Sequence, residues 1–284
     1  MKIYFNGFWG GFLERTDPVH VGFFLELFTK VFCVQCEIGS LNESDILCES
    51  MFGDSVLTKK KWSKKVYYLG EPTKNAKNTS QYDVALWGER NYANVVNCPL
   101  FIPFLHCANK LTSPGKNVTQ VPPNSVVAII TNPTGQIRNF LLDAIEASGI
   151  QITYAGSYKN NIGYKIPGVY GDEGFLKFVS QFKFVISMEN TSEDTYITEK
   201  ICTGFLAGVI PVYWGSPRVT DYFNKERIII MDPTNPNHTI EQMKYLDKNP
   251  IEWLSMVNKP VYTEGYPSRN VDDIAEDCKA LLHI

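Results

Sequence analysis

The chain has 284 residues, 44% of them hydrophobic and 20% charged, with a formal net charge of −3. That balance gives a folded chain enough apolar material for one large domain or two ordinary ones, and it excludes a disordered polymer. It also excludes binders of nucleic acid or anionic membrane, which need a concentrated basic surface.

Taken in chain order, Lys2–Asn6 predicts a strand. The opening MKIYFNGFWGGF has no apolar run long enough for a signal peptide or a membrane helix, so the expected compartment is cytoplasmic, with no membrane-spanning segment. His20–Cys36 predicts a helix, with Phe23, Phe24, Leu27, Phe28, Val31 and Phe32 along one side. Ser44–Cys48, Lys65–Leu69 and Tyr82–Trp87 predict short strands between turn-rich stretches, and the basic run from Lys59 to Lys65 reads as a solvated loop. The polar stretch Asn109–Asn124, with Pro114, Gly115, Pro122 and Pro123, reads as a linker. After it come a buried-type strand at Ser125–Ile130, a helix at Gln136–Ser148 and a strand at Phe182–Met188. A helix at Tyr196–Ala207 stops at Gly208, followed by a strand at Val209–Tyr213 and a terminal helix at Val271–Leu282.

Strand and helix alternate throughout, which predicts an α/β fold with parallel sheets. The expected division is residues 1–124 and 125–284, two Rossmann-like domains facing a central cleft. Seven cysteines, an odd and scattered set, form no disulfide framework. Cys33-Val-Gln-Cys36 lacks a second pair, and His20, His106, His238 and His283 stand singly, so no four-ligand zinc site is expected.

In open parallel sheets ligands bind beyond the carboxyl ends of strands, near helix N-termini. Three places fit. In Thr131–Arg138 a buried strand runs through the loop TNPTGQ into a helix whose first turn carries Arg138, a natural seat for a diphosphate; the alternative is a surface arginine. Ser187–Ile201 runs from a strand end through a polar loop into a helix start with Glu199 and Lys200. The lysine could neutralise a departing diphosphate and the glutamate could accept from sugar hydroxyls, or both could be an ordinary helix start. Leu69-Gly-Glu71-Pro72 puts a carboxylate at a strand's carboxyl end, where it could act as a general base or be one more loop glutamate. Neither a Gly-x-Gly-x-x-Gly loop, a Walker lysine loop nor a His-Glu-x-x-His helix occurs, and Glu193-Asp194 lacks the Asp-x-Asp spacing that holds a metal against a nucleotide.

The stretch FKFVISMENTSEDTYITEKI, followed by PVYWGSP, resembles the signature of the α-1,3/1,4-fucosyltransferases, glycosyltransferase family 10. The likeness is carried by Phe182-Lys183-Phe184, Glu189-Asn190, Tyr196–Ile201, Ile210-Pro211-Val212 and Trp214–Pro217. Ile137-Arg138-Asn139 resembles the family segment whose arginine meets the GDP diphosphate, Gly163-Tyr164-Lys165 its stretch beside the nucleotide, and Val66–Glu71 the strand and turn bearing its general base. Met188 replaces the family's phenylalanine, an apolar exchange expected to leave Asn190 in place.

The resemblance implies a GT-B architecture and inverting transfer of L-fucose from GDP-fucose to a hydroxyl, O3 of N-acetylglucosamine or glucose, on an acceptor glycan. It implies Glu71, Arg138 and Lys200 as catalytic residues, and Arg138, Tyr164, Asn190, Tyr196, Glu199 and Lys200 as donor-binding residues. No metal or other cofactor is implied beyond the donor itself. Two alternatives stay open at this point: a GT-B enzyme using another nucleotide sugar, and a non-catalytic nucleotide- or glycan-binding module.

Overall fold

Every ladder between strands is parallel in the computed structural model, which describes residues 1–14, 21–72, 76–88, 91–108, 117–168, 171–266 and 269–284. His20 and residues 109–116 of the expected linker lie outside them. The strands explain the parallel pairing: ILCE, VALW and most of FKFVISM are buried along their length, as strands covered on both faces must be.

The first unit holds β1 (Lys2–Asn6), α1 (Val21–Phe32), β2 (Glu37–Ile38), β3 (Ile46–Glu49), β4 (Lys64–Tyr68), β5 (Val84–Trp87), β6 (Val95–Asn97) and α2 (Phe101–Ala108). Its sheet runs β2-β1-β3-β4-β5-β6. The second unit holds β7 (Asn124–Ala128), α3 (Gln136–Ala147), β8 (Ile152–Tyr154), α4 (Glu173–Val179), β9 (Phe182–Met188), α5 (Glu199–Ala207), β10 (Ile210–Trp214), α6 (Val219–Tyr222), β11 (Ile229–Ile230), α7 (Pro236–Lys248) and α8 (Pro250–Val257). Its sheet runs β11-β10-β9-β7-β8.

That second sheet is doubly wound. On one face Ala128, Phe184 and Val212 pack with Leu141, Ile145, Met243 and Trp253 from α3, α7 and α8. On the other, Val127 and Val185 pack with Phe175, Val179 and Ala207 from α4 and α5. α5 lies close to β10, since a Cβ at Gly204 would come within 2.6 Å of Pro211 Cγ. The helix starts at Glu199, three residues later than the periodicity predicts. Thr198 is extended there and its hydroxyl accepts from the Lys200 amide, which caps the helix.

The units divide differently from the expected 1–124 and 125–284. The terminal helix α9 (Val271–Leu282) packs against α1, so the first unit is Met1–Asn109 with Ser268–Ile284 and the second is Lys110–Pro267. α1 is apolar on one side, and α9 offers Val271, Ile274, Ala275, Cys278 and Leu282 as its own buried stripe. Lys30 Nζ meets Asp272 at 2.7 Å and Lys64 Nζ donates to the Leu282 carbonyl at 2.9 Å. Among the described residues no helix is long and apolar enough to cross a membrane.

Candidate active site

In the second sheet the strand order reverses between β7 and β9, which lie side by side. Their carboxyl ends therefore open a crevice, the place where ligands of such sheets bind. It has a volume of about 240 Å³, and Thr131, Asn132, Arg138, Asn190, Glu199 and Lys200 are among the residues lining it.

Arg138 sits in the first turn of α3 and is 2% exposed. One Nη donates to Asn190 Oδ1 at 2.7 Å and the other to the Asn132 carbonyl. Its Nε is buried with no hydrogen-bond partner, and no described carboxylate pairs with the guanidinium. Burial lowers its pKa from the ordinary arginine value. The buried Glu189 carboxylate acts on the guanidinium from a distance without pairing with it, which leaves Arg138 able to take a bound anion as a direct partner. The residue before α3 makes room for it. A Cβ at Gly135 would lie 2.9 Å from the Arg138 Cζ, and glycine leaves that space clear.

Across the crevice, Lys200 occupies the first turn of α5. Its ammonium lies 2.9 Å from Thr198 Oγ1, 3.1 Å from Glu189 Oε2 and 3.4 Å from Glu199 Oε1. Glu189 is completely buried one residue beyond β9. Its carboxylate accepts the Thr198 amide and the Thr198 hydroxyl, each at 2.8 Å. Burial pushes the Glu189 carboxyl upward and outweighs the opposing pull of Lys200. The chain Glu189–Thr198–Lys200 thus caps α5 and fixes where its ammonium stands.

Arg138, Asn190, Glu199 and Lys200, expected from the sequence, are brought together here. Tyr196 is buried at 6% exposure and lies close enough to Arg138 to affect its titration. Tyr164 is 55% exposed on the loop after β8 and is not among the residues that line the crevice. Glu71 belongs to the first unit, three residues past β4 and partly exposed. Glu189 is absent from the site residues expected from the sequence; its signal there is a carboxylate directly after an apolar strand and before Asn190. Among the described residues, no group of three or more His, Cys, Asp or Glu side chains is placed to hold a metal ion.

Residues 121–260 match the family model described as glycosyltransferase family 10 (fucosyltransferase), C-terminal region. The chain is 34% identical over 130 residues to the alpha-(1,3)-fucosyltransferase FucT of Helicobacter pylori, covering 45% of this chain and 26% of that protein. It is 36% identical over 87 residues to the human GDP-fucose protein O-fucosyltransferase 3, covering 30% and 18%. The chain thus spans about a quarter or less of the length of these relatives. A solved alpha1,3-fucosyltransferase with GDP-fucose superimposes with a TM-score of 0.73 at 22% identity, covering 100% of this chain and 90% of that one. The fold is therefore GT-B, as expected.

Proposed function

We propose, from the premise that residues 121–260 belong to the family 10 fucosyltransferases, that this chain transfers L-fucose from GDP-fucose to a hydroxyl of an acceptor glycan. The observation that carries the proposal is Arg138. Buried, with its Nε lacking a hydrogen-bond partner and with Lys200 also lining the crevice, it supports reading the crevice as a receptor for a nucleoside diphosphate.

In the proposed reaction the acceptor hydroxyl gives its proton to Glu71 as its oxygen bonds to the fucose anomeric carbon. The bond from that carbon to the β-phosphate oxygen breaks, and its electron pair leaves with GDP. Arg138 and Lys200 stabilise the charge that builds on the leaving phosphate, and their preorganisation by Asn190 and Glu189 keeps reorganisation cost low. With two cations in this role, we propose that the step requires no divalent metal. Glu199 and Tyr196 are proposed to hold the sugar or ribose hydroxyls, and Tyr164 to lie over the nucleotide. O3 of N-acetylglucosamine or glucose is the proposed acceptor atom.

Competition among donors tests the assignment. GDP and GDP-fucose are expected to bind in calorimetry and to displace one another, while UDP and UDP-glucose bind far more weakly. Preference for a uridine nucleotide would overturn the donor assignment and favour a GT-B enzyme using another sugar.

A further inference from the structure

Residues 189–198 join β9 to α5 and carry Asn190 and Tyr196, and Glu199 and Lys200 follow directly. Trp214, Gly215 and Ser216, at the end of the neighbouring strand β10, hold that loop at three successive points. The Trp214 carbonyl accepts from the Glu189 amide at 2.7 Å, and the Gly215 carbonyl accepts from the Ser192 hydroxyl at 2.7 Å. The Ser216 hydroxyl donates to the Asp194 carbonyl at 2.5 Å. Asp194 lies inside a turn, across which the Tyr196 amide donates to the Glu193 carbonyl at 3.2 Å. The holding side is fixed in its own right. The Ser216 amide donates to the buried Tyr213 hydroxyl at 2.9 Å, and the Arg218 amide donates to Ser216 Oγ at 3.1 Å. A Cβ at Gly215 would lie 2.5 Å from Glu189 Cγ, so the same backbone presses against the side chain that holds Lys200. Ser216 itself is 2% exposed and is not among the residues that line the crevice.

We infer that Ser216, with Ser192 beside it, is a positioning residue that sets the donor loop before the donor arrives, an inference that rests on the fucosyltransferase reading and deepens it. Ser216 acts through the Asp194 carbonyl, two residues before Tyr196. A segment already held in one conformation has lost its backbone freedom on folding, so little affinity is lost to ordering it when the ligand binds. Without the hydroxyl the loop samples other arrangements, and apparent donor affinity falls with the fraction that is competent to bind. The loop reaches the same arrangement once the donor is bound, so the effect falls on donor affinity more than on turnover.

Calorimetry with GDP and GDP-fucose, transfer kinetics and hydrogen exchange test this on Ser216→Ala and Ser192→Ala. Ser216→Ala is expected to weaken GDP-fucose about fivefold or more, the scale of one lost hydrogen bond. The donor KM rises with it, the acceptor KM stays unchanged and kcat falls less than kcat/KM. Amides of residues 190–198 exchange faster in the free variant, protection in β9 and β10 is kept, and saturating GDP-fucose restores protection to the loop. Ser192→Ala, at an exposed side chain, shifts donor KM and loop exchange the same way by a smaller factor. Unchanged donor affinity in Ser216→Ala overturns the inference, as does a uniform loss of protection across β9, β10 and the loop. If Ser216→Ala fails to fold, unchanged donor KM and loop exchange in Ser192→Ala overturn it. A wild-type chain that neither binds GDP nor consumes GDP-fucose overturns the fucosyltransferase reading itself, and the role of Ser216 with it.

Discussion

Gly135 and Arg138 are three residues apart, and one exists for the other. The atom that a Cβ at 135 would strike is the far end of a flexible side chain, so Gly135→Ala displaces the guanidinium and leaves the fold intact. The expected outcome is a GDP Kd about tenfold weaker by calorimetry, equivalent to losing one charged hydrogen bond of ~1.5 kcal/mol, with an unchanged Tm. Arg138→Ala is expected to weaken GDP by about 100-fold, the scale of two charge-assisted bonds. Glu71→Gln should leave GDP affinity unchanged while lowering kcat by roughly 10²–10⁴, the range for general-base removal; full transfer by that variant would remove Glu71 from the chemistry.

Glu189 adds a pH dependence. Its folded carboxyl titrates above the ordinary carboxylate value because it is buried, so the native state holds this proton more tightly than the unfolded chain does. Stability from this group is therefore present at pH values below the unfolded carboxylate pKa and is lost as pH rises through the folded one. Glu189→Gln is expected to flatten that acid-side slope in denaturant titrations. It is also expected to lower kcat, since Lys200 loses the carboxylate at 3.1 Å that holds it.

At the scale of elements, α5 delivers Lys200 and Glu199, and its position depends on one cap and one close approach. Thr198→Ala removes the oxygen that accepts the Lys200 amide and should cost ~1 kcal/mol in denaturant unfolding, as lost N-caps do. The Thr198 cap also explains why helical periodicity misplaced the start of α5: Tyr196 and Ile197 are buried like helix residues but precede the cap. Much else at this scale was legible. The strands Lys2–Asn6 and Phe182–Met188 and the helix Val271–Leu282 lie where their patterns put them, because alternation, a continuous apolar run and a one-sided stripe are strong local signals. The short strands β2, β6, β8 and β11, of two or three residues, are too brief to show a pattern. α2, FIPFLHCA, has almost no polar side to reveal a period. α7 and α8 each open on a proline, Pro236 and Pro250, which suits the first helical position, where its missing N–H costs nothing.

At the scale of the molecule, the sequence order of α9 conceals its partnership. It follows the second unit along the chain and packs in the first, because both α1 and α9 are one-sided and local patterning cannot say which stripe meets which. Ending the chain after residue 267 would remove the helix that packs against α1. The expected outcome is loss of amide protection in β1, β3 and β4 with protection retained in β7, β9 and β10, read by hydrogen exchange. Uniform loss across both units would show that they do not behave as separate stability units.

Each unit has its strand-order reversal, and among the described residues the second opens a charged crevice there. In the first, the chain closes the gap itself: Ser50 donates to the Asn6 carbonyl and Phe52 to that of Gly7, each at 2.8 Å, and a Cβ at Gly7 would meet the Phe52 oxygen at 2.5 Å. One nucleotide per chain is therefore the expected stoichiometry. The site residues Arg138, Asn190, Glu199 and Lys200 were legible because a motif and a strand-loop-helix pattern coincided on them. Tyr164 follows from the resemblance alone; it is exposed and does not line the crevice. The most direct test of the account is GDP release from GDP-fucose by the purified chain, with and without lactose or N-acetyllactosamine, in wild type and Arg138→Ala. The account predicts release that the acceptor stimulates, accompanied by a fucosylated product and abolished in the variant. GDP binding without any fucosylated product from either acceptor, or product formation undiminished in Arg138→Ala, would contradict it.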